Sequence, residues 1–266
     1  MSARVLITGA NGGIGGAAMA ELRSRGATVI GLDLEADEQA GVLACDVRDA
    51  GAVERAVDAA VARLGGLDVL INNAGLGIPQ SAGKAPDEDA LKVLEVNLIA
   101  PWRVAAAALP HLRTTHGRVV NVASGLAHLA VPFATAYCMS KRGLVAYSDA
   151  LRLEHGDEIT VTTVYPGYIR TGIHDSAKAS GVGLEGAVPA ERVEQAAKAL
   201  ARAALGRPVR DLATTRAGTI QYFLARRSPR RLLDAITNRA VRRMVRRGGF
   251  SERGIAGELS ARLSAR

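Results

Sequence analysis

The sequence is poor in cysteine: its 266 residues hold only two, Cys45 and Cys138, and neither belongs to a CxxC pair. That excludes a disulfide framework and leads us to expect a reducing compartment, the cytoplasm. No signal peptide is expected, because Arg4 is followed directly by VLITGA, with neither an h-region nor a cleavage site. The longest uncharged run, residues 119–140, has the length of a bilayer span. It also contains Asn121, Ser124, His128, Pro132 and Tyr137, which excludes a transmembrane reading. A hydrophobic content of 48% is too high for a disordered chain. With 27.7 kDa available, one α/β domain with a sizeable core is expected.

What is present centres on residues 121–153. Tyr137 and Lys141 stand four apart in a helical pattern, so phenol and ammonium share one face. A free phenol titrates near pH 10 and is a poor base at neutral pH, whereas a neighbouring cation favours the phenolate. Ser124 closes the apolar run RVVNVAS, which reads as a buried strand. A hydroxyl at that strand end can hydrogen-bond the substrate oxygen with which Tyr137 exchanges a proton. A Tyr and Lys at this spacing would usually be one more helical surface pair, and the rest of the chain decides the matter.

An apolar strand over residues 4–8 breaks into TGANGGIG, residues 8–15, and then into a helix pattern. Gly9, Gly13 and Gly15 allow a tight turn and close backbone approach, while the helix start that follows offers free amides to a pyrophosphate. The next strand ends in Asp33, placed to accept from both ribose hydroxyls of an adenosine and to repel a 2′-phosphate. Neither Asn11 and Gly12 in the turn nor Leu34 after the acid supplies a cation for such a phosphate, so NAD is favoured over NADP. Asp46 falls at another strand end, where it can meet the adenine amino group. A helix over 49–64, an apolar strand over 67–75 and a helix over 87–109 follow. Continuous apolar strands alternating with helices predict a parallel sheet covered on both faces, with ligands at the carboxyl ends of its strands. Asn97, amid the apolar LEVNLIA, reads on its own as a satisfied core amide.

Taken in order, TGANGGIG, NNAG, Asn97, Ser124, YCMSK and YPGYIRT resemble the short-chain dehydrogenase/reductase family over residues 4–205. The resemblance implies an α/β, Rossmann-type doubly wound parallel sheet in a single domain, and an NAD(P)-dependent oxidoreductase acting on CH–OH groups. The implied catalytic tetrad is Asn97, Ser124, Tyr137 and Lys141. Tyr137 is the general acid/base, Lys141 lowers its pKa and binds the nicotinamide ribose, Ser124 polarises the substrate oxygen, and Asn97 holds a water in a proton relay. In that frame the relay role displaces the core reading of Asn97. The cofactor is expected at Gly9, Asn11, Gly13, Ile14, Gly15, Asp33, Leu34, Asp46, Val47, Asn73, Ala74 and Gly75. Tyr137, Lys141, Pro166, Gly167, Ile169 and Thr171 complete that set, and no metal is expected. The glycine-rich stretch 173–186 reads as a mobile lid over the substrate, and a helix over 189–205 and a strand near 209–215 finish the sheet.

The tail departs from the family pattern: residues 206–266 hold fifteen arginines and no lysine against four acids, within a total net charge of +8. We therefore divide the chain into a catalytic domain, 1–215, and a basic helical extension, 216–266. Ser228 and Pro229 look like a helix cap and first residue, with Leu233, Ile236, Ala240 and Met244 as an apolar stripe. Such a helix can lie on an anionic membrane or dock its stripe on the parent domain, and both readings stand. No specific nucleic acid partner is expected. The expected substrate is a small hydrophobic secondary alcohol or carbonyl compound, and a homodimer or homotetramer is expected. The competing function is a non-catalytic NAD(H)-binding sensor or scaffold working through its basic tail.

Overall fold

Apolar segments alternate with helical ones, and in the computed structural model they build a parallel sheet covered on both faces. The structure describes residues 2–180, 182, 190–246, 255, 257 and 259. β1 (Arg4–Thr8) passes through the glycine turn into α1 (Gly13–Ser24), followed by β2 (Thr28–Asp33) and β3 (Val42–Ala44). α2 (Ala50–Leu64) begins where the Asp49 carboxylate accepts from the Ala52 amide, and it ends at the left-handed Gly65. Next come β4 (Val69–Asn72), α3 (Glu88–Leu94), a π turn (Glu95–Ile99), α4 (Ala100–Thr114), β5 (Arg118–Val122), a 3-10 turn (Gly125–Ala127) and α5 (Thr135–His155). β6 (Thr160–Tyr165), β7 (Tyr168–Ile169), α6 (Asp175–Ala179), β8 (Ala190–Glu191) and α7 (Val193–Leu205) lead to β9 (Asp211–Ala213), α8 (Arg216–Arg227) and α9 (Arg230–Arg246).

The main sheet has the order β3-β2-β1-β4-β5-β6-β9, every neighbouring pair parallel. Side-chain alternation divides the core into two. Val5, Ile7, Val29, Ile71, Val120 and Val164 pack with α1 and α7, while Leu6, Ile30, Leu32, Leu70, Val119 and Val161 pack with α2, α4 and α5. This is the doubly wound α/β architecture expected from the sequence, in a single domain. The chain reverses direction across the sheet between β1 and β4, which opens a crevice at their carboxyl ends.

A buried polar network pins α5 to the sheet. Asn72 donates to Asn121 at 2.9 Å, Asn121 to Ser148 at 2.9 Å, and Ser148 to the Leu144 carbonyl at 2.7 Å. Because α5 carries Tyr137 and Lys141, this network fixes the helix relative to β5 and the residues that follow it.

Two segments differ from the sequence reading. The helix expected over 87–109 extends to Thr114 and is interrupted by the π turn, in which the Ala100 amide reaches back to the Glu95 carbonyl. Pro101, four residues after Asn97, has no N–H for the α-helical bond to the Asn97 carbonyl, and π turns gather at such sites. Residues 88–114 are long and apolar enough to cross a bilayer by length and composition, yet they pack against α2 and α5.

The tail holds two helices rather than one. α8, which the sequence reading missed, starts where Thr215 accepts from the Gly218 amide, and Ser228 closes it by donating its amide to Leu224. Ser228 is therefore a helix end, and Pro229 precedes α9, accepting from the Leu232 and Leu233 amides. The apolar stripe is also rotated. Val241 and Val245 are buried against Val182 with Phe133, Ile255 and Leu259, Leu233 is half-buried, and Ile236 and Ala240 face outward. The side chain of Met244 lies outside the described residues.

Candidate active site

The cofactor cradle is built by short-range backbone demands. Gly9 stands at φ 69°, and a Cβ there would come within 2.8 Å of the Ala74 Cα. At Gly15 a Cβ would overlap the Gly9 carbonyl, so only glycine lets α1 start this close to β1. Gly12 precedes α1 without any side-chain cap, which leaves the first-turn amides around Gly13, Ile14 and Gly15 open to an anion. The Thr8 hydroxyl accepts from the amides of Asn73 (3.1 Å) and Ala74 (3.0 Å), and the Asn73 side chain donates to the carbonyls of Thr8 and Gly9. Thr8 thus ties NNAG to the glycine turn. It stood inside the motif but was not among the expected site residues.

At the rim, the Asp33 carboxylate accepts from the Asn11 amide at 2.7 Å and the Leu34 amide at 2.8 Å. Two bonds leave a carboxylate with acceptor capacity for ribose hydroxyls. Leu34 is 67% exposed beside it. Asp46 is ion-paired with Arg48 at 2.6 Å, and this guanidinium holds its carboxyl below the usual range. Val47 is buried, with its carbonyl accepting from Arg103 at 3.0 Å. Across the crevice, the Pro166 carbonyl accepts from Gly125, Gly167 donates to Glu191, and Ile169 is buried in the β7–β8 pair. A Cβ on Gly13 would stand 3.0 Å from the Thr171 methyl, which brings the two ends of the expected cofactor set together.

Asn97, Ser124, Tyr137 and Lys141 converge at the carboxyl end of β5. A Cβ on Gly75 would lie 3.3 Å from Asn97 Oδ1 and 3.5 Å from Lys141 Nζ. The Lys141 ammonium is buried, donates to the Val122 carbonyl at 2.9 Å and lies 5.8 Å from the centre of the Tyr137 ring. Burial lowers the Lys141 pKa to about 8. Burial also pushes the Tyr137 phenol up, and the hydrogen bond from Ser124 pulls it part of the way back. Desolvation disfavours both charged forms, so the net shift of the tyrosine is upward rather than the downward one expected from a neighbouring cation.

Asn97 is fully buried and its side chain is occupied. Oδ1 accepts from the Leu76 amide at 2.7 Å, and Nδ2 donates to the Leu76 carbonyl at 2.8 Å and to Ser140 Oγ at 3.2 Å. Ser140 in turn donates to the Tyr137 carbonyl at 2.8 Å, so Asn97 joins the loop after β4 to the helix of the tyrosine. Ser140 is a positioning residue that the sequence reading passed over, since nothing local distinguishes it from any helical serine. The stretch expected as a lid is partly helical: α6 closes down where Ser176 donates to the Gly77 carbonyl at 2.8 Å. Residues 181 and 183–186 of that stretch lie outside the described residues. A cavity of about 270 Å³ between Asp68, His116 and Arg118 lies at the opposite end of the sheet, away from the tetrad.

A glycine cradle at the switch point and a Tyr/Lys/Ser/Asn cluster at the next strand end define a nucleotide-dependent oxidoreductase. A family profile described as short chain dehydrogenase matches residues 3–180. The chain belongs to this family, whose members bind nicotinamide cofactors and act on CH–OH groups. Among its relatives, the 3-ketodihydrosphingosine reductase of Bacteroides thetaiotaomicron is 33% identical over 181 residues, covering 66% of this chain and 67% of that one. The 3-oxoacyl-[acyl-carrier-protein] reductase of Haemophilus influenzae is 31% identical over 215 residues, covering 74% and 88%. A solved short chain dehydrogenase from Burkholderia cenocepacia in complex with NADP superposes with a TM-score of 0.74 at 26% identity, covering 89% of this chain and 98% of that one.

Proposed function

We propose that this protein is an NAD-dependent oxidoreductase interconverting a hydrophobic secondary alcohol and its ketone. The observation that carries the reading is the convergence of Tyr137, Ser124 and the buried Lys141 ammonium at the end of β5, facing the glycine cradle. The nicotinamide supplies or accepts the hydride. Everything else falls to the chain's own groups. The Tyr137 hydroxyl gives a proton to the substrate oxygen or takes one from it, and Ser124 donates to that same oxygen as charge builds on it. Lys141 holds ribose hydroxyls and restores the proton of Tyr137. The Asn97 side chain is committed to Leu76 and Ser140, so any water in the relay meets its main-chain carbonyl, whose α-helical donor Pro101 removes. A pure sensor would have no use for a buried ammonium beside a phenol, since burying a charge is costly.

A hydrophobic substrate is supported by the names of two relatives, which reduce 3-keto groups on sphingoid and acyl chains. The test is a screen of steroid, retinoid, fatty and sugar alcohols with NAD and NADP, read at the reduced-nicotinamide absorbance. Turnover confined to sugar alcohols would overturn the substrate class.

NAD preference rests on Asp33 and on the uncharged, exposed Leu34; the Burkholderia neighbour holds NADP, so this point needs its own experiment. Asp33→Ala with Leu34→Arg removes a repelling charge and adds a phosphate partner. The ratio of kcat/KM for NAD over NADP is expected to fall by about tenfold or more. Parent protein that already prefers NADP would refute the assignment.

The chain is also proposed to assemble as a homodimer or homotetramer. Leu91, Ile99, Trp102, Met139 and Leu153 are exposed on α3, the π turn, α4 and α5, among charges of both signs. Trp102→Glu is expected to give a monomer by light scattering; an unchanged mass would rule this face out.

A further inference from the structure

Twelve large apolar side chains are exposed among the described residues, and ten of them fall on two sets of helices. One is the α3–α5 set already described. On the other, α8 exposes Ile220 (63%), Phe223 (51%) and Leu224 (55%), and α9 exposes Leu232 (52%) and Ile236 (56%). Along α8, residues 220, 223 and 224 share the outward side, while Gly218, Tyr222 and Ala225 point inward.

The charge around this second face is predominantly positive. α8 and the first half of α9, residues 216–238, carry five arginines, every one exposed, against the single acid Asp234. We propose that α8 and the first half of α9 form a docking surface for an anionic phospholipid bilayer. Two copies of the chain would bring arginine against arginine, so self-association through this face is disfavoured. A nucleic acid would satisfy the arginines but leave Ile220, Leu224, Leu232 and Ile236 uncovered. Phe223, the exposed aromatic of the face, has the Arg227 guanidinium 4.2 Å from its ring centre instead of an open stacking surface. A bilayer interface takes both, with apolar side chains entering the acyl boundary and guanidinium groups at the phosphates. The second half of α9 is excluded from the surface, because Val241 and Val245 are packed inward.

The surface is anchored beside the chemistry. Tyr222 stacks on Tyr165 with ring centres 4.3 Å apart and meets His128 at 5.0 Å, while Arg226 pairs with Asp211 at 3.1 Å. Tyr165 ends β6 and His128 follows the Ser124 turn, so α8 rides on the end of the sheet that carries the tetrad. Delivery of a lipid-dissolved substrate to that end rests on the hydrophobic-substrate reading above; docking itself does not.

The test is co-sedimentation of the full chain with phosphatidylcholine vesicles, with and without phosphatidylserine. Binding is expected only with phosphatidylserine, and it should weaken as salt is raised. Arg216→Glu with Arg231→Glu should weaken it by about thirtyfold or more. Ile220→Ser, Phe223→Ser and Leu224→Ser together should also release the protein while leaving the melting temperature unchanged, because these side chains are exposed. No sedimentation at low salt overturns the proposal. So does binding that ignores the serine substitutions, tighter binding to duplex DNA or RNA than to the vesicles, or an oligomer that dissociates in the triple-serine variant. Sedimentation reads neither cofactor nor substrate, so a failed substrate screen leaves this result intact and a failed sedimentation leaves the screen intact.

Discussion

Replacing Tyr137 with phenylalanine is expected to lower turnover by about 10²–10⁴-fold, the usual worth of a positioned proton donor. The ring stays in place and only the hydroxyl is lost, so melting temperature and cofactor affinity should stay close to those of the parent. The structure explains why no other group takes over. Ser124 is the partner hydrogen-bonded to that hydroxyl, and a serine alcohol is no base near neutral pH; Lys141 is turned toward the Val122 carbonyl. Single-turnover rates measured with a soluble substrate from the screen decide the matter. Near-normal turnover in this variant would remove the mechanism.

Lys141→Met should cost about 10²–10³-fold in turnover, the size of effect seen when one preorganised electrostatic group is lost from a buried site. It should weaken cofactor binding as well. Stability should move the other way or not at all. The ammonium is buried enough to have its pKa lowered to about 8, so the fold carries a desolvation cost that a methionine of similar length does not. A clearly lower melting temperature would mark the lysine as structural.

The same group sets the pH profile. In the parent, burial lowers the Lys141 pKa to about 8, so the ammonium beside Tyr137 loses its proton there. Alcohol oxidation needs the deprotonated pair, so its kcat/KM should rise with pH through about 8. Carbonyl reduction needs the proton and should fall through the same value. In Lys141→Met the tyrosine titrates alone, and burial places it above its ordinary 10.0, so the inflection should move upward past that value. An inflection unchanged by the substitution would assign the titration to another group.

Much of the site was legible because its signals are short-range. The left-handed Gly9 and the crowded Gly15 are demands of a single turn, and they stand in TGANGGIG for anyone to read. Strand β1 falls on the very residues that the apolar run marks, because a buried parallel strand needs nothing but apolar side chains. Tyr137 and Lys141 share a face because they are four apart on α5. The tail, where α9 was expected but α8 and the buried register were not, was less legible for the opposite reason. Arginine-rich segments satisfy many helical registers equally well, so the true inward residues, Tyr222 on α8 and Val241 and Val245 on α9, emerge only when their partners Tyr165 and Val182 are in place.

What the sequence determined by itself is the parallel α/β architecture, the order of motifs along it and the family that order defines. These follow from hydrophobic periodicity and from backbone conformations that only glycine or proline forces locally. What the tertiary structure alone decided is the environment of each group. The 3-2-1-4-5-6-9 strand order brings Leu76 and Ser140 to Asn97 and commits its side chain to them, which leaves the main-chain carbonyl for any relay water. It buries Lys141 against Val122 and reverses the expected direction of the tyrosine's shift. A pKa, a saturated amide and an exposed face all depend on neighbours dozens of residues away in the chain. Local periodicity cannot supply them, because they exist only once the sheet has closed around the site.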